Sequence, residues 1–280
     1  PTGNALAAVP AAVDPMHICE GPDGSPLKGD VDLLLLMDNS RSLNKKGSAS
    51  DPGNLRYAAV TEMLTSVVNG LGSARKINFS LSKFGRGASS VVAFGKRTLS
   101  TKSDAESLGR EIERLVPGRY ETEEQDTDYQ AALRHAREVF TARPTNNCKF
   151  LVWFTDGAYD APETRVPAEM RQQAARLQSF TCSTAAPWFQ QNRINTFVLV
   201  LKPNGADRSR LRASYGAMEA LTGDPELPAD IREKVQGAGK CAGIDAIHLG
   251  EVLQADDASS IGRYMPGIAN IADGAEQASP

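Results

Sequence analysis

The sequence predicts an open, mostly parallel α/β sheet of six strands, layered between helices on both faces. Three observations carry this. Short apolar runs, such as 33–37 and 150–154, show no alternation, as strands buried on both faces require. Segments of helical period separate these runs, the pattern of βα units in a parallel sheet. One close pair, within 77–94, is joined by a Gly-containing turn and predicts a single antiparallel edge strand.

The elements follow in order. Residues 1–28 are rich in proline and small residues and read as an N-terminal arm or linker, ahead of a domain at 29–272 and a C-terminal linker at 273–280. Val31 to Met37 is the first strand. Tyr57, Val60, Leu64, Val67 and Leu71 recur at helical spacing, with Gly70 and Gly72 marking the end. Ile77, Phe79 and Leu81 alternate with polar residues, and Val91 to Phe94 follows as a second short strand. Ser103 and Glu106 have capping-box spacing before a helix carrying Leu108, Ile112 and Leu115. Tyr129, Leu133, Ala136 and Phe140 line one face of the next helix, which leaves His135 on its polar face. After the strand at Phe150–Phe154, Pro167 suits a first helical turn before Met170, Ala174 and Leu177. Phe197 to Leu201 is a strand, and Leu211, Tyr215 and Met218 form a helix closed near Gly223. A last strand falls between Ile244 and Gln254, followed by a helix with Ile261, Met265 and Ile268, kinked at Pro266.

Composition narrows the function. The 280 residues carry a formal net charge of -3, and the 31 basic residues are scattered, not gathered into the stripe that nucleic acid requires. No nucleic-acid partner is expected. No stretch approaches the roughly 20 apolar residues that cross a bilayer, so no membrane span is expected in this chain. The chain starts at Pro1, without an initiator methionine, and its linker-like ends suggest excision from something longer. Four cysteines, Cys19, Cys148, Cys182 and Cys241, lie far apart and include no C-x-x-C pair, which argues against zinc. Two structural disulfides in an oxidising compartment and four buried free thiols both stay open at this point.

In an open parallel sheet, ligands collect beyond the carboxyl ends of the strands. Three segments put oxygen-bearing side chains there. Asp38-Asn39-Ser40-Arg41-Ser42 follows the first strand, and side chains two apart in extended chain share a side, so Asp38, Ser40 and Ser42 can aim at one point. Thr127 lies just before the helix that opens near Tyr129, and Asp156-Gly157 comes directly after the Phe150–Phe154 strand. Carboxylates and hydroxyls suit a hard cation such as Mg2+, with Mn2+ or Ca2+ as alternatives. Such a set leaves positions for water or for a partner's carboxylate and supplies neither nucleophile nor base. A dehalogenase-type phosphatase would need a second carboxylate two residues after Asp38, where Ser40 stands. Neither a Gly-x-Ser-x-Gly elbow nor a phosphate-binding loop is present, so no enzymatic activity is expected.

Asp38-x-Ser40-x-Ser42, Thr127 and Asp156-Gly157, in that order, resemble the metal-ion-dependent adhesion site of von Willebrand factor A (vWA) domains. The resemblance covers about 28–270. It implies a three-layer, doubly wound fold with strand order 3-2-1-4-5-6. It also implies that Ser40 and Ser42 ligate directly, that Asp38 and Asp156 act directly or through water, and that Thr127 ligates in some states only. Arg41 stands where the family commonly has a small residue, usually Gly. It either points into solvent or lies beside the metal, where it would pair with an acidic partner or repel the cation. The implied strand order makes the strands after Cys19 and Cys148 neighbours, and likewise those after Cys182 and Cys241. It thus implies the pairs Cys19–Cys148 and Cys182–Cys241, towards the sheet end opposite the metal.

The acidic cluster Glu121, Glu123, Glu124, Asp126 and Asp128 reads as a solvated loop or a second cation site, with Asp128 placed to cap the next helix. The function expected is an extracellular, secreted or cell-surface binding module, resembling pilus-tip vWA proteins. Its cation would hold a carboxylate of a host, matrix or cell-surface protein. The alternative is an intracellular vWA subunit of an ATP-driven machine such as a metal chelatase, which would not need paired cysteines.

Overall fold

The computed structural model describes residues 19–27, 29–44, 51, 55–70, 75–115, 126–156, 159, 167–201, 208–224, 241 and 247–255. The strands are β1 (Val31–Asp38), β2 (Ile77–Phe84), β3 (Ala88–Leu99), β4 (Cys148–Thr155), β5 (Ile194–Leu201) and β6 (Val252–Ala255). The helices are α1 (Arg41–Asn44), α2 (Leu55–Gly70), α3 (Lys102–Leu115), α4 (Tyr129–Thr141), α5 (Pro167–Phe180), α6 (Ala186–Gln191) and α7 (Arg208–Thr222). A π-helical turn, Thr181–Ala185, joins α5 to α6. The strands form one sheet in the order β3-β2-β1-β4-β5-β6. All neighbours run parallel except β2 and β3.

The continuous apolar run Leu33–Met37 of β1 has its reason in the layers. Leu33, Leu35 and Met37 pack on one face with Tyr57, Val60 and Leu64 of α2 and Leu108 and Ile112 of α3. Leu34 and Leu36 pack on the other, with Leu133 of α4, Leu177 of α5, Phe189 of α6 and Tyr215 and Met218 of α7. Successive side chains point to opposite faces, so a strand covered on both sides is apolar at consecutive positions, here Leu33 to Met37. Trp188 and Phe189 pack edge to face beside α4.

Some local readings change. The capping box of α3 sits two residues earlier than the Ser103–Glu106 spacing suggests. Asp104 accepts the Thr101 N–H at 2.9 Å, and Thr101 Oγ1 accepts the Asp104 N–H at 3.2 Å, so a Thr–Asp pair does the reciprocal work of Ser–Glu. The edge strand β3 is longer than Val91–Phe94, running Ala88–Leu99 with bulges against β2; its basic, exposed second half hides the strand from an apolar pattern search. His135 is half-buried and not simply on a polar face: its Nε2 lies 3.0 Å from Ser82 Oγ and 3.2 Å from Ser90 Oγ. The expected helix with Ile261, Met265 and Ile268 lies outside the described residues, as do Glu121, Glu123 and Glu124.

At the amino ends of the strands, Cys19 is bonded to Cys148, the first residue of β4. Cys182, in the π-helical turn, is bonded to Cys241. The short segment after Cys19 is fastened by Leu27 N–H to Cys19 O at 2.7 Å and by Arg75 Nη2 to Leu27 O at 2.9 Å. Beside it, the buried carboxylate of Asp32 accepts from Asn78 at 2.9 Å, Arg143 at 3.0 Å, Asn147 at 3.0 Å and the Thr145 hydroxyl. Burial alone would raise its pKa, but these four donors together hold it below the usual carboxylate value.

Candidate metal centre

The centre forms where β1 and β4 end side by side. Their parallel register runs from Val31 opposite Cys148 to Met37 opposite Phe154. One step on, Asp38 closes β1 and Thr155 closes β4, and Asp156 follows. Because the strands are neighbours, residues far apart in sequence deliver their side chains to one place. Asp38 is fully buried and Asp156 is 2% exposed.

The first loop turns on Asp38 itself. Its Oδ1 accepts the Ser40 N–H at 2.8 Å, the local bond by which a short acidic side chain folds its own backbone. That turn brings Ser40 Oγ to 2.8 Å from Ser42 Oγ. Ser40 is buried and Ser42 exposed, so the hydroxyl pair leads from the interior to the surface. The loop is anchored by Asn39 N–H to Phe84 O at 2.8 Å, and α1 begins with Leu43 N–H to Ser40 O at 3.2 Å.

The second loop uses the same splint. Asp128 N–H donates to Gly85 O at 2.8 Å, one residue beyond the anchor of the first loop. Asp128 also caps α4, accepting from Gln130 N at 2.9 Å and Ala131 N at 3.1 Å. Thr127 is thereby held just ahead of α4, 3% exposed. The exit of β2 therefore aligns the Asp38 loop with the Thr127 loop.

Two more side chains belong here, and motif reasoning passed over them. Thr155 Oγ1 donates to Asp38 Oδ2 at 2.7 Å, and the Tyr129 hydroxyl lies 2.7 Å from Thr155 Oγ1. Periodicity assigns Tyr129 only to the apolar face of α4, and its ring does pack edge to face on Trp153 at 4.8 Å between centroids. The signal was the position of each: Thr155 sits immediately before Asp156, and Tyr129 two residues after Thr127.

The electrostatics follow from burial. Removing Asp38 from water raises its pKa, and the nearby Asp156 carboxylate raises it further, to about 7, against the hydrogen bonds from Ser40 and Thr155. Burial, then the two carboxylates, push the Tyr129 hydroxyl well above its ordinary value, so it stays a neutral donor. Two buried like charges are costly unless a cation or a proton lies between them. Among the described residues no group of three or more His, Cys, Asp or Glu gathers. The donors here are instead two carboxylates and hydroxyls, all oxygen, which fits a hard divalent cation and not a thiolate- or imidazole-seeking one. The structure thus brings Asp38, Ser40 and Ser42 together, with Asp156 beside Asp38 and Thr127 on the adjoining loop. Arg41 opens α1, but its side chain, like Gly157, lies outside the described residues.

Residues 33–158 match the family model described as von Willebrand factor type A domain. No relative among the curated proteins matches the sequence. Among solved structures, the pilus adhesin SpaC from Lactobacillus rhamnosus GG is 17% identical with a TM-score of 0.54, over 87% of this chain and 30% of that one. The vWF domain of the type V pili tip protein Mfa5 from Porphyromonas gingivalis is 10% identical with a TM-score of 0.54, over 90% of this chain and 98% of that one. The chain spans no more than 49% of the first four structures it matches. Residues 33–158 are thus similar to the von Willebrand factor type A family, and the sheet order β3-β2-β1-β4-β5-β6 is that of an α/β fold like those of the matched structures, with Asp38 and Asp156 at neighbouring strand ends.

Proposed function

We propose that Asp38, Ser40, Ser42, Thr127 and Asp156 hold a divalent cation, Mg2+ foremost, and that this cation anchors a carboxylate of a protein partner. The observation that carries the reading is the pair of buried carboxylates beside a hydroxyl pair that reaches the surface at Ser42. A cation neutralises the repulsion between Asp38 and Asp156, and the side open at Ser42 gives a partner's oxygen access to it. The residues thus bind and orient, and the domain on this reading is a binding module.

The bonds Cys19–Cys148 and Cys182–Cys241 support an extracellular or cell-surface setting over an intracellular machine subunit, which has no use for them. The shared fold with a pilus adhesin and a pilus tip protein is in keeping with an adhesive role for a longer protein that contains this domain. Among the described residues no helix is long and apolar enough to cross a membrane. The partner would be a host, matrix or cell-surface protein.

The test is binding of the native surface partner, captured in Mg2+ and released by chelator, to the parent and to Ser40→Ala and Asp156→Ala. Both variants should lose binding and keep the parent's circular dichroism. Parent-like binding by either would place the partner surface elsewhere.

A further inference from the structure

Asp38 is held at both oxygens. Oδ1 takes the Ser40 N–H at 2.8 Å, and Oδ2 takes the Thr155 hydroxyl at 2.7 Å. With a cation beside it Asp38 is ionised, and an ionised carboxylate only accepts. The single Thr155 hydroxyl proton is therefore committed to Asp38, and towards Tyr129 the Thr155 oxygen is an acceptor. The hydroxyl contact at 2.7 Å between Tyr129 and Thr155, ambiguous by itself, then has one direction: Tyr129 donates, Thr155 accepts and passes its own proton to Asp38.

This relay is buried throughout. Tyr129, Thr155 and Asp38 are each 0% exposed, so no water competes for these bonds. The ring of Tyr129 is gripped by Phe84, Trp153 and Tyr159, with centroids at 6.0, 4.8 and 5.8 Å. Its hydroxyl has little freedom to leave Thr155. Tyr129 is also the first residue of α4, two residues after Thr127. The relay therefore ties the Thr127 loop, through a buried ring, to the Asp38 carboxylate of another loop.

We propose that Tyr129 and Thr155 are positioning residues for cation binding: their hydroxyl relay sets the rotamer of Asp38 and couples it to the Thr127 loop. This rests on the cation reading given above. Groups that orient a ligating carboxylate govern affinity almost as strongly as the ligands, with typical losses of 10- to 100-fold. The relay donates one hydrogen bond to Oδ2 and leaves the rest of that oxygen for the cation. Without it, Asp38 can rotate, and binding must first restore the orientation.

The experiment measures Mn2+ affinity by electron paramagnetic resonance, alongside chelator-treated melting, for the parent, Tyr129→Phe, Thr155→Val, Thr155→Ser and the double Tyr129→Phe/Thr155→Val. Thr155→Val should weaken Mn2+ by at least about 10-fold and Tyr129→Phe by several-fold. Thr155→Ser, which keeps the hydroxyl, should bind like the parent. The double variant should lose no more than Thr155→Val alone, because both break one path. Phe150→Leu, in the opposite core layer, serves as a control for loss of stability without loss of the relay. Parent-like Mn2+ affinity in Thr155→Val, or a loss that merely follows melting temperature as in Phe150→Leu, overturns the relay. Failure of the parent itself to bind Mn2+ overturns instead the cation reading beneath it.

Discussion

The raised pKa of Asp38 makes a prediction with an unusual sign. Most paired carboxylates stabilise a protein as they ionise. Asp38, fully buried beside Asp156, keeps its proton to about pH 7 in the folded cation-free state, whereas the unfolded chain releases it near 3.8. Between those values the folded state binds more protons, so this group's contribution to stability falls as pH rises. Integrated from pH 5 to pH 8, the fall is roughly 2 to 3 kcal/mol for one carboxylate with those two pKa values. The perturbation that tests it is Asp38→Asn, which removes this titration together with the repulsion Asp38 shares with Asp156. In chelator, urea unfolding of parent and variant at a series of pH values should show the variant gaining on the parent by about that amount between pH 5 and pH 8. Adding Mg2+ at pH 8 should reverse the ranking, because only the parent keeps both carboxylates for the cation. A parent-minus-variant difference that is flat with pH, or that favours the parent at high pH in chelator, would refute the burial argument.

Other outcomes can be checked independently. Melting of the parent should rise with Mg2+ or Mn2+ and return with chelator; a hundredfold excess over Kd corresponds to about 2.7 kcal/mol, and no shift at millimolar cation would count against the site. Non-reducing peptide mapping should find no free thiol, and opening Cys182–Cys241, whose ends are 59 positions apart in sequence, should cost about 4 kcal/mol in the chain-entropy model, less any strain. Asp32→Ala should destabilise by about 3 kcal/mol by stranding buried donors. Because the Asp32 pKa is depressed, its contribution should persist above about pH 4 and vanish as pH falls through the folded value. Gly109→Ala should cost about 1 to 3 kcal/mol, since a Cβ there would stand 2.1 Å from Thr61 Oγ1 where α2 and α3 meet.

Much of this molecule was legible from residue order alone. Unbroken apolar runs at 33–37 and 150–154 require strands covered on both faces, and helix-period segments between them require a parallel, three-layer arrangement. Asp38-x-Ser40-x-Ser42, Thr127 and Asp156-Gly157 could be placed at strand ends and loops because chain direction in such a sheet is uniform. These are local properties: period, spacing and the chemistry of single side chains. The tertiary structure decided what depends on neighbours. Thr155 and Tyr129 look in sequence like the end of a strand and a core position of a helix. Only the packing of α4 against β4 brings the Tyr129 hydroxyl to 2.7 Å from Thr155 Oγ1, and Thr155 to Asp38. The alignment of two loops on successive carbonyls, Phe84 and Gly85, likewise exists only once β2 lies beside β1. The four donors around Asp32 come from residues 78, 143, 145 and 147 and leave no pattern along the chain. Periodicity reads the direction in which a side chain points. Which polar atom waits there is set by contacts between segments distant in sequence, and those form only when the layers close.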